Sequence, residues 1–278
     1  MKAQQILKRL ILGVLVLGMN IISGCQKNAS EPTSDTTAAT DLEQATGVSD
    51  DIVNMADNAA KGTNGFRLSS DNTYEGLGGC ATVTRDTINH VITIDFGSSN
   101  CMCLDGRYRR GEIIISYSGG GYFDSGSVKT ITFNAYYVND NHVEGTKSIT
   151  NNGLNQAGHY TWNIVATNMK ITRTDGKYHE WNMNRVREMI QGQNTETIWD
   201  DAYSITGSAN GTCSNGNSCS ATITNPLIRE IACHWIQQGT IVITPSNKPV
   251  MTLDFGSGNC DDIATVTVNN VSHTITLH

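Results

Sequence analysis

The sequence predicts an all-β fold: an antiparallel meander of long strands forming a sandwich or a curled open barrel, with one short N-terminal helix. Three observations point there. Thr, Asn, Ser and Gly are abundant while charged residues make up only 16% of the 278-residue chain, a balance that suits strands and tight turns. From residue 79 onward, runs of β-branched and aromatic residues alternate with turn signals. One hairpin-sized segment also occurs twice.

The N-terminus reads as an address. Lys2, Lys8 and Arg9 precede an apolar run over 10–22, too short to span a bilayer as a helix and typical of a signal peptide. Ile22-Ser23-Gly24-Cys25 resembles the lipobox of bacterial lipoproteins: an aliphatic residue, two small residues that admit a peptidase, then the cysteine that receives lipid. Residues 1–24 are thus expected to be removed. Two or three acyl chains on Cys25 would anchor the product stably, each buried methylene contributing roughly 0.8 kcal/mol.

Residues 25–78 read as an acidic flexible tether. The stretch 26–46 is polar and without aromatics, a composition that favours disorder. Within the tether, Ser49-Asp50-Asp51 before Ile52, Met55, Ala56 and Ala59 predicts a capped helix over about 49–61, ended by Gly62 and Asn64-Gly65.

Residues 79–278 are the expected β-domain. Strands are predicted over 82–85, 91–96, 112–118, 128–138, 143–150, 160–173, 178–190, 202–209, 220–224, 232–243, 250–255, 264–268 and 273–277. Asn139-Asp140-Asn141, Asp175-Gly176, Asn215-Gly216 and Asn269-Asn270 supply the turns, with Asp175-Gly176 expected as a two-residue hairpin loop. Tyr160, Trp162, Ile164 and Ala166 alternate on one face before the apolar face shifts to Met169 and Ile171, which predicts a bulge near Asn168. The repeat pairs residues 91–101 with 250–260, identical at eight of eleven positions, and extends upstream without gaps to pair 81–90 with 240–249.

Apart from Cys25 there are seven cysteines, an odd number that leaves at least one unpaired within the chain. A three-residue loop Asn215-Gly216-Asn217 would set Cys213 opposite Cys219. Pairing 232–243 with 250–255 would set Cys233 opposite Cys260. Cys80 would then join Cys101 or Cys103. Loop closure is worth roughly 2 kcal/mol for the small loop and about 3.5 for the larger. A zinc site at Cys101-Met102-Cys103 lacks a second close Cys pair, so no metal or other cofactor is expected.

Other motifs have structural readings. Asp95-Phe96-Gly97 and Asp254-Phe255-Gly256 match the kinase triplet but stand without the rest of a kinase, so each Asp is read as bonding the following turn. Asp105 to Gly111, the one basic cluster, reads as a tight turn whose arginines meet acids of neighbouring strands. Seven scattered histidines form no sequence motif and no catalytic residue is assigned. Trp162, Trp181, Trp199 and Trp235 are the candidate binding face, with Asp200-Asp201 beside Trp199. A formal charge of −7 argues against nucleic acid as partner.

Taken together, DFGSSNCMCLDGRYRRGEI, ITFNAYYVNDNHVEGTKSITNNG, WDDAYSITGSANGTC and TVTVNNVSHTITL resemble a family of all-β envelope lipoproteins of the Bacteroidota over residues 80–278. The resemblance implies the envelope of a Gram-negative bacterium, with attachment to the outer membrane. That family has no established activity, so no functional residue carries over. Gln26-Lys27-Asn28 before Glu31 leaves periplasmic or outward display open. The expectation is a non-enzymatic binding or structural module tethered through Cys25, with a glycan or an envelope protein as possible partner. The alternatives are a glycan-acting envelope protein and a carrier of lipid or another hydrophobic ligand.

Overall fold

A computed structural model describes residues 35–61, 79–195 and 199–277. The expected signal peptide and the expected lipid site at Cys25 lie outside the described residues. One helix is followed by a fourteen-stranded antiparallel sheet. The helix α1 spans Thr37–Lys61. The strands are β1 (Thr82–Asp86), β2 (Val91–Asp95), β3 (Cys101–Met102), β4 (Tyr108–Tyr117), β5 (Val128–Val138), β6 (Asn141–Leu154) and β7 (Tyr160–Thr172). They continue as β8 (Tyr178–Gln191), β9 (Ala202–Thr212), β10 (Ser218–Glu230), β11 (Gln238–Pro245), β12 (Met251–Ser257), β13 (Ile263–Val268) and β14 (Val271–Thr276). Each strand pairs with its neighbour in sequence, except that the short β3 folds onto β4 beside the main path. Among the described residues β1 and β14 are the two edges and do not pair, so the sheet curls without closing.

The sheet curls around α1. Strands β2, β8, β11 and β12, drawn from different parts of the curl, all touch the helix. Leu42, Ile52, Val53, Met55 and Ala56 meet inward side chains such as Ile94, Ile113, Ile131, Ile241 and Leu253 in one core. Small residues (Ala38, Ala39, Ala45, Ala59) let the helix fit the lumen. Two bulges show how so many strands bend this tightly. Gly111 and Gly145, both at positive φ, sit at register shifts. A Cβ there would stand 1.9 Å from the Ala135 carbonyl oxygen and 2.6 Å from that of Asn168. Only glycine allows this approach, and such bulges sharpen twist and curvature. The bulge expected near Asn168 is present, as a register shift between Ala166 and Met169 with Asn168 at φ 50°.

The helix begins at Thr37 rather than near residue 49, so 37–46 is ordered, not part of a disordered tether. The reason is tertiary. Polar residues that bury no apolar face alone are satisfied here by side chains from the wall. Asp35 accepts the Thr37 N–H at the helix start. Asp41 receives Arg173, the Ser214 N–H and hydroxyl, and lies 3.2 Å from His179 Nδ1. Lys147 donates to the carbonyl and hydroxyl of Ser49. Arg185 donates to Thr46 and stands 3.8 Å from Asp50. Arg109 bonds Asp51 at 2.7 Å and Asp105 at 2.8 Å, with Arg107 3.3 Å from Asp51. At the far end Arg85 donates to the Ala59 carbonyl.

Burial alone would raise the Asp41 and Asp51 carboxyls. His179 and Ser214 outweigh it at Asp41, and Arg109 with Arg107 at Asp51, so both sit below the usual carboxylate range, Asp51 far below. Lys147 goes the other way: burial pushes its ammonium down to about 7.

Several local expectations are corrected by register. Asp175-Gly176 lies in a three-residue loop: the Arg173 N–H bonds the Lys177 carbonyl and only Gly176 of the pair takes positive φ. That is the type I turn with a left-handed third residue, which does not require positive φ at Asp175. The two-residue loops are instead Asn139-Asp140 and Asn269-Asn270, where both residues do. In the repeat, Ile92, Ile94 and Phe96 are buried, as are their counterparts Met251, Leu253 and Phe255. The upstream strands are offset by one, since Thr82 pairs with Asp95 whereas Thr240, not Ile241, pairs with Asp254. A one-residue slip turns every side chain to the other face. The ungapped match of 81–90 with 240–249 is therefore not a match in three dimensions.

Candidate functional site

The last turns of α1 border a cavity of about 280 Å³ at one end of the curled sheet. Three consecutive strands each present a pair of side chains two residues apart, hence on one face: Tyr160 and Trp162, Arg187 and Met189, and, around the start of β9, Asp201 and Tyr203. Strand pairing sets Trp162 opposite Arg187, and Met189 opposite Tyr203. Asn54, Asp57, Asn58 and Lys61 of α1 close the inner side. Phe123 from the β4–β5 loop, Asn151 and Ile231 complete the lining.

The aromatic side is ordered by mutual contact. Trp162 meets Tyr203 edge-on at 6.1 Å between centroids, and Tyr160 lies 6.3 Å from Trp162. The Arg187 guanidinium stacks 3.5 Å above the Tyr203 ring. It also donates to Asn54 at 3.0 Å and stands 3.5 Å from Asp57. Asp57 in turn accepts the Tyr122 hydroxyl at 2.9 Å. Arg187 is thereby spent on the cavity's own walls. Tyr203 donates its hydroxyl to Asp201 at 3.1 Å. Burial raises the Asp201 carboxyl above its ordinary range, against the opposing pull of Lys61. Gly192 makes room for it, since a Cβ there would stand 2.1 Å from Asp201 Oδ1. The cavity thus joins aromatic faces to amides, the Asp201 carboxyl and the Arg187–Asp57 ion pair.

The four tryptophans do not form one face. Trp162 lines the cavity, Trp181 is fully buried in the core, Trp199 is half exposed, and Trp235 packs partly against the core. Strands of a curled sheet alternate between lumen and exterior, so residues on one strand face can still be core or mouth. Of the acidic pair, Asp201 faces the cavity whereas Asp200 is exposed and accepts the Thr195 hydroxyl. Tyr203, Phe123, Arg187 and Asp57 were not singled out by the sequence, and Tyr160 only as a strand residue. The alternation Tyr160–Trp162 was the one signal pointing to this place.

The cysteines form disulfides Cys80–Cys101, Cys213–Cys219 and Cys233–Cys260, and Cys103 is a buried free thiol. Cys213 does not face Cys219 as expected, because Gly216 closes the loop one residue earlier: Cys213 pairs with Asn217, and Cys219 faces Gly211. The bridge runs diagonally, with Cα atoms 6.2 Å apart. Cys233 lies before β11 and Cys260 after β12, outside the strands that were to align them. Both repeats are nonetheless stapled at the equivalent cysteine, Cys101 and Cys260.

Asp95 and Asp254 accept the N–H of Gly97 and Gly256 at 2.7 and 2.9 Å, the turn role expected of them. In the basic cluster Arg110 meets Asp140 of the neighbouring hairpin, but Arg107 and Arg109 point inward to Asp51 of the helix. No group of three or more His, Cys, Asp or Glu among the described residues is placed to hold a metal ion. Comparison of the chain with protein-family models, with curated proteins and with solved structures finds no match.

Proposed function

We propose that the chain is a lipid-anchored protein of a Gram-negative cell envelope, attached to the outer membrane through Cys25, and that its β-domain is a non-enzymatic binding module. The observation that carries the binding reading is the cavity at the end of α1. There Tyr160, Trp162 and Tyr203 adjoin the Asn58 amide and the Asp201 carboxyl. A concave apolar surface with a few convergent polar groups is the usual form of a small-ligand site. Address and anchor rest on the basic start, the apolar run over 10–22 and Ile22-Ser23-Gly24-Cys25. Three disulfides suit an oxidising compartment. The carrier alternative has less support, because α1 and its ionic contacts occupy the lumen that would shelter an acyl chain.

Growth with a clickable fatty acid tests the anchor. Label should appear in the membrane fraction, and Cys25→Ala should abolish both label and membrane association. Envelope material digested to small fragments, titrated into the purified mature protein, tests the site. Tryptophan emission should change in the natural protein and not in Trp162→Phe. An equal response from both would refute the cavity as the site.

A further inference from the structure

We infer that the cavity takes a neutral sugar ring, stacked against Trp162 and Tyr160 and hydrogen-bonded to the amides and carboxyl beside them; this rests on the binding reading above. Charge selects against ionic ligands. The cavity holds two acids, Asp57 and Asp201, and two bases, Arg187 and Lys61. Arg187 is consumed by Asp57, Asn54 and the Tyr203 ring, so it is not free to clamp a phosphate or carboxylate. With two acids against two bases, the lining carries no formal net charge to draw in a quaternary ammonium, whatever the aromatic rings alone would offer it.

Polarity selects against a purely apolar ligand. Covering the Asp201 carboxyl and the α1 amides with hydrocarbon would strip them of water without returning a hydrogen bond, at about 1–3 kcal/mol for each group left unpaired. What remains is a neutral molecule with one apolar face and a rim of hydroxyls. A pyranose has that form: its axial C–H groups lie on an aromatic ring while its hydroxyls turn to amide and carboxyl groups. Tyr160, 40% exposed, stands at the entrance and Trp162 beyond it, an arrangement for one ring at the end of a chain or branch. The volume, about 280 Å³, lies near the lower end for small-molecule sites and fits a ligand of one or two rings.

The test is calorimetric titration of the mature protein with glucose, galactose, mannose and N-acetylglucosamine, and with trisaccharides of each. Choline and hexanoate serve as cationic and anionic-apolar probes. At least one sugar is expected to bind, more weakly by about tenfold in Trp162→Ala, the equivalent of roughly 1.4 kcal/mol for a lost aromatic contact. Tyr160→Ala and Asn58→Ala should weaken it as well; Tyr160 is exposed enough that its loss leaves folding intact, which guards against misfolding of the Trp162 variant. Binding of choline or hexanoate at the cavity, with no sugar bound, would overturn the sugar and leave the binding reading standing. Sugar binding unchanged by all three variants would place the site elsewhere and overturn the inference. Binding of none of these probes, together with no Trp162-dependent response to envelope fragments, would sink both readings.

Discussion

Replacing Asp51 with Asn should destabilise the domain by about 3 kcal/mol at pH 7. Asp51 is the hinge of the inward ion network, taking Arg109 at 2.7 Å and Arg107 at 3.3 Å. The Arg109 side chain has no exposure to solvent, and Arg107 very little. Removing one partner of a buried pair costs about 3–5 kcal/mol, because the other charge is left without compensation. The lower end applies because Arg109 keeps Asp105, at 2.8 Å. With a urea m-value of about 3 kcal/mol/M, the unfolding midpoint should fall by about 1 M. The pH dependence has a definite sign. The folded Asp51 carboxyl lies far below its unfolded value of about 3.9, so its stabilisation is complete above roughly pH 4 and fades as pH falls toward the folded value. The gap between natural protein and variant should therefore narrow from pH 4 to pH 2. A variant within about 0.5 kcal/mol of the natural protein at pH 7, or a gap that stays constant down to pH 2, would refute this account.

Four further outcomes are expected. Lys147 titrates at about 7 when folded and near 10.4 when unfolded, so its burial weighs most heavily below pH 7, and stability should rise between pH 7 and 10 as the unfolded chain holds the extra proton. Lys147→Met should remove that rise and stabilise the domain at pH 6 by about 1 kcal/mol or more, read by thermal unfolding. Gly145→Ala should cost at least about 2 kcal/mol by the same measurement, since the new methyl meets the Asn168 carbonyl. Converting Cys213–Cys219 to serines should cost about 2 kcal/mol, and opening Cys80–Cys101 or Cys233–Cys260 about 3.5. Alkylation of the unreduced domain, followed by mass spectrometry, should find Cys103 modified only after unfolding.

The strands were legible because each carries its own evidence. Residues 128–138 are rich in β-branched and aromatic residues and end at Asn139-Asp140, and β5 and its turn occupy those positions. Asn168 announced its bulge because the apolar alternation breaks there. Registers were less legible. Asp175-Gly176 permits two loop lengths and Asn215-Gly216 two placements of a three-residue loop, and the loops chosen are those that place the glycine alone in the left-handed region. The first half of α1 was illegible for a deeper reason. Asp41, Thr46 and Ser49 look like a solvated segment, and their partners Arg173, Arg185 and Lys147 lie about 100 residues or more away. No local window holds both halves of such a contact. The cavity suffers the same limit: Tyr160, Arg187 and Tyr203 come from three strands, and only the sheet's curl brings them to the end of the helix.

The threaded helix also sets an order of events in time. Its residues are synthesised before the strands, yet they tie to side chains 58, 98, 132 and 139 positions later in the chain. Until those strands exist, its aspartates have nothing to neutralise them and a helix of this composition has little reason to persist. Hairpins with two-residue turns can form early and locally, whereas α1 is locked only as the sheet rolls up around it.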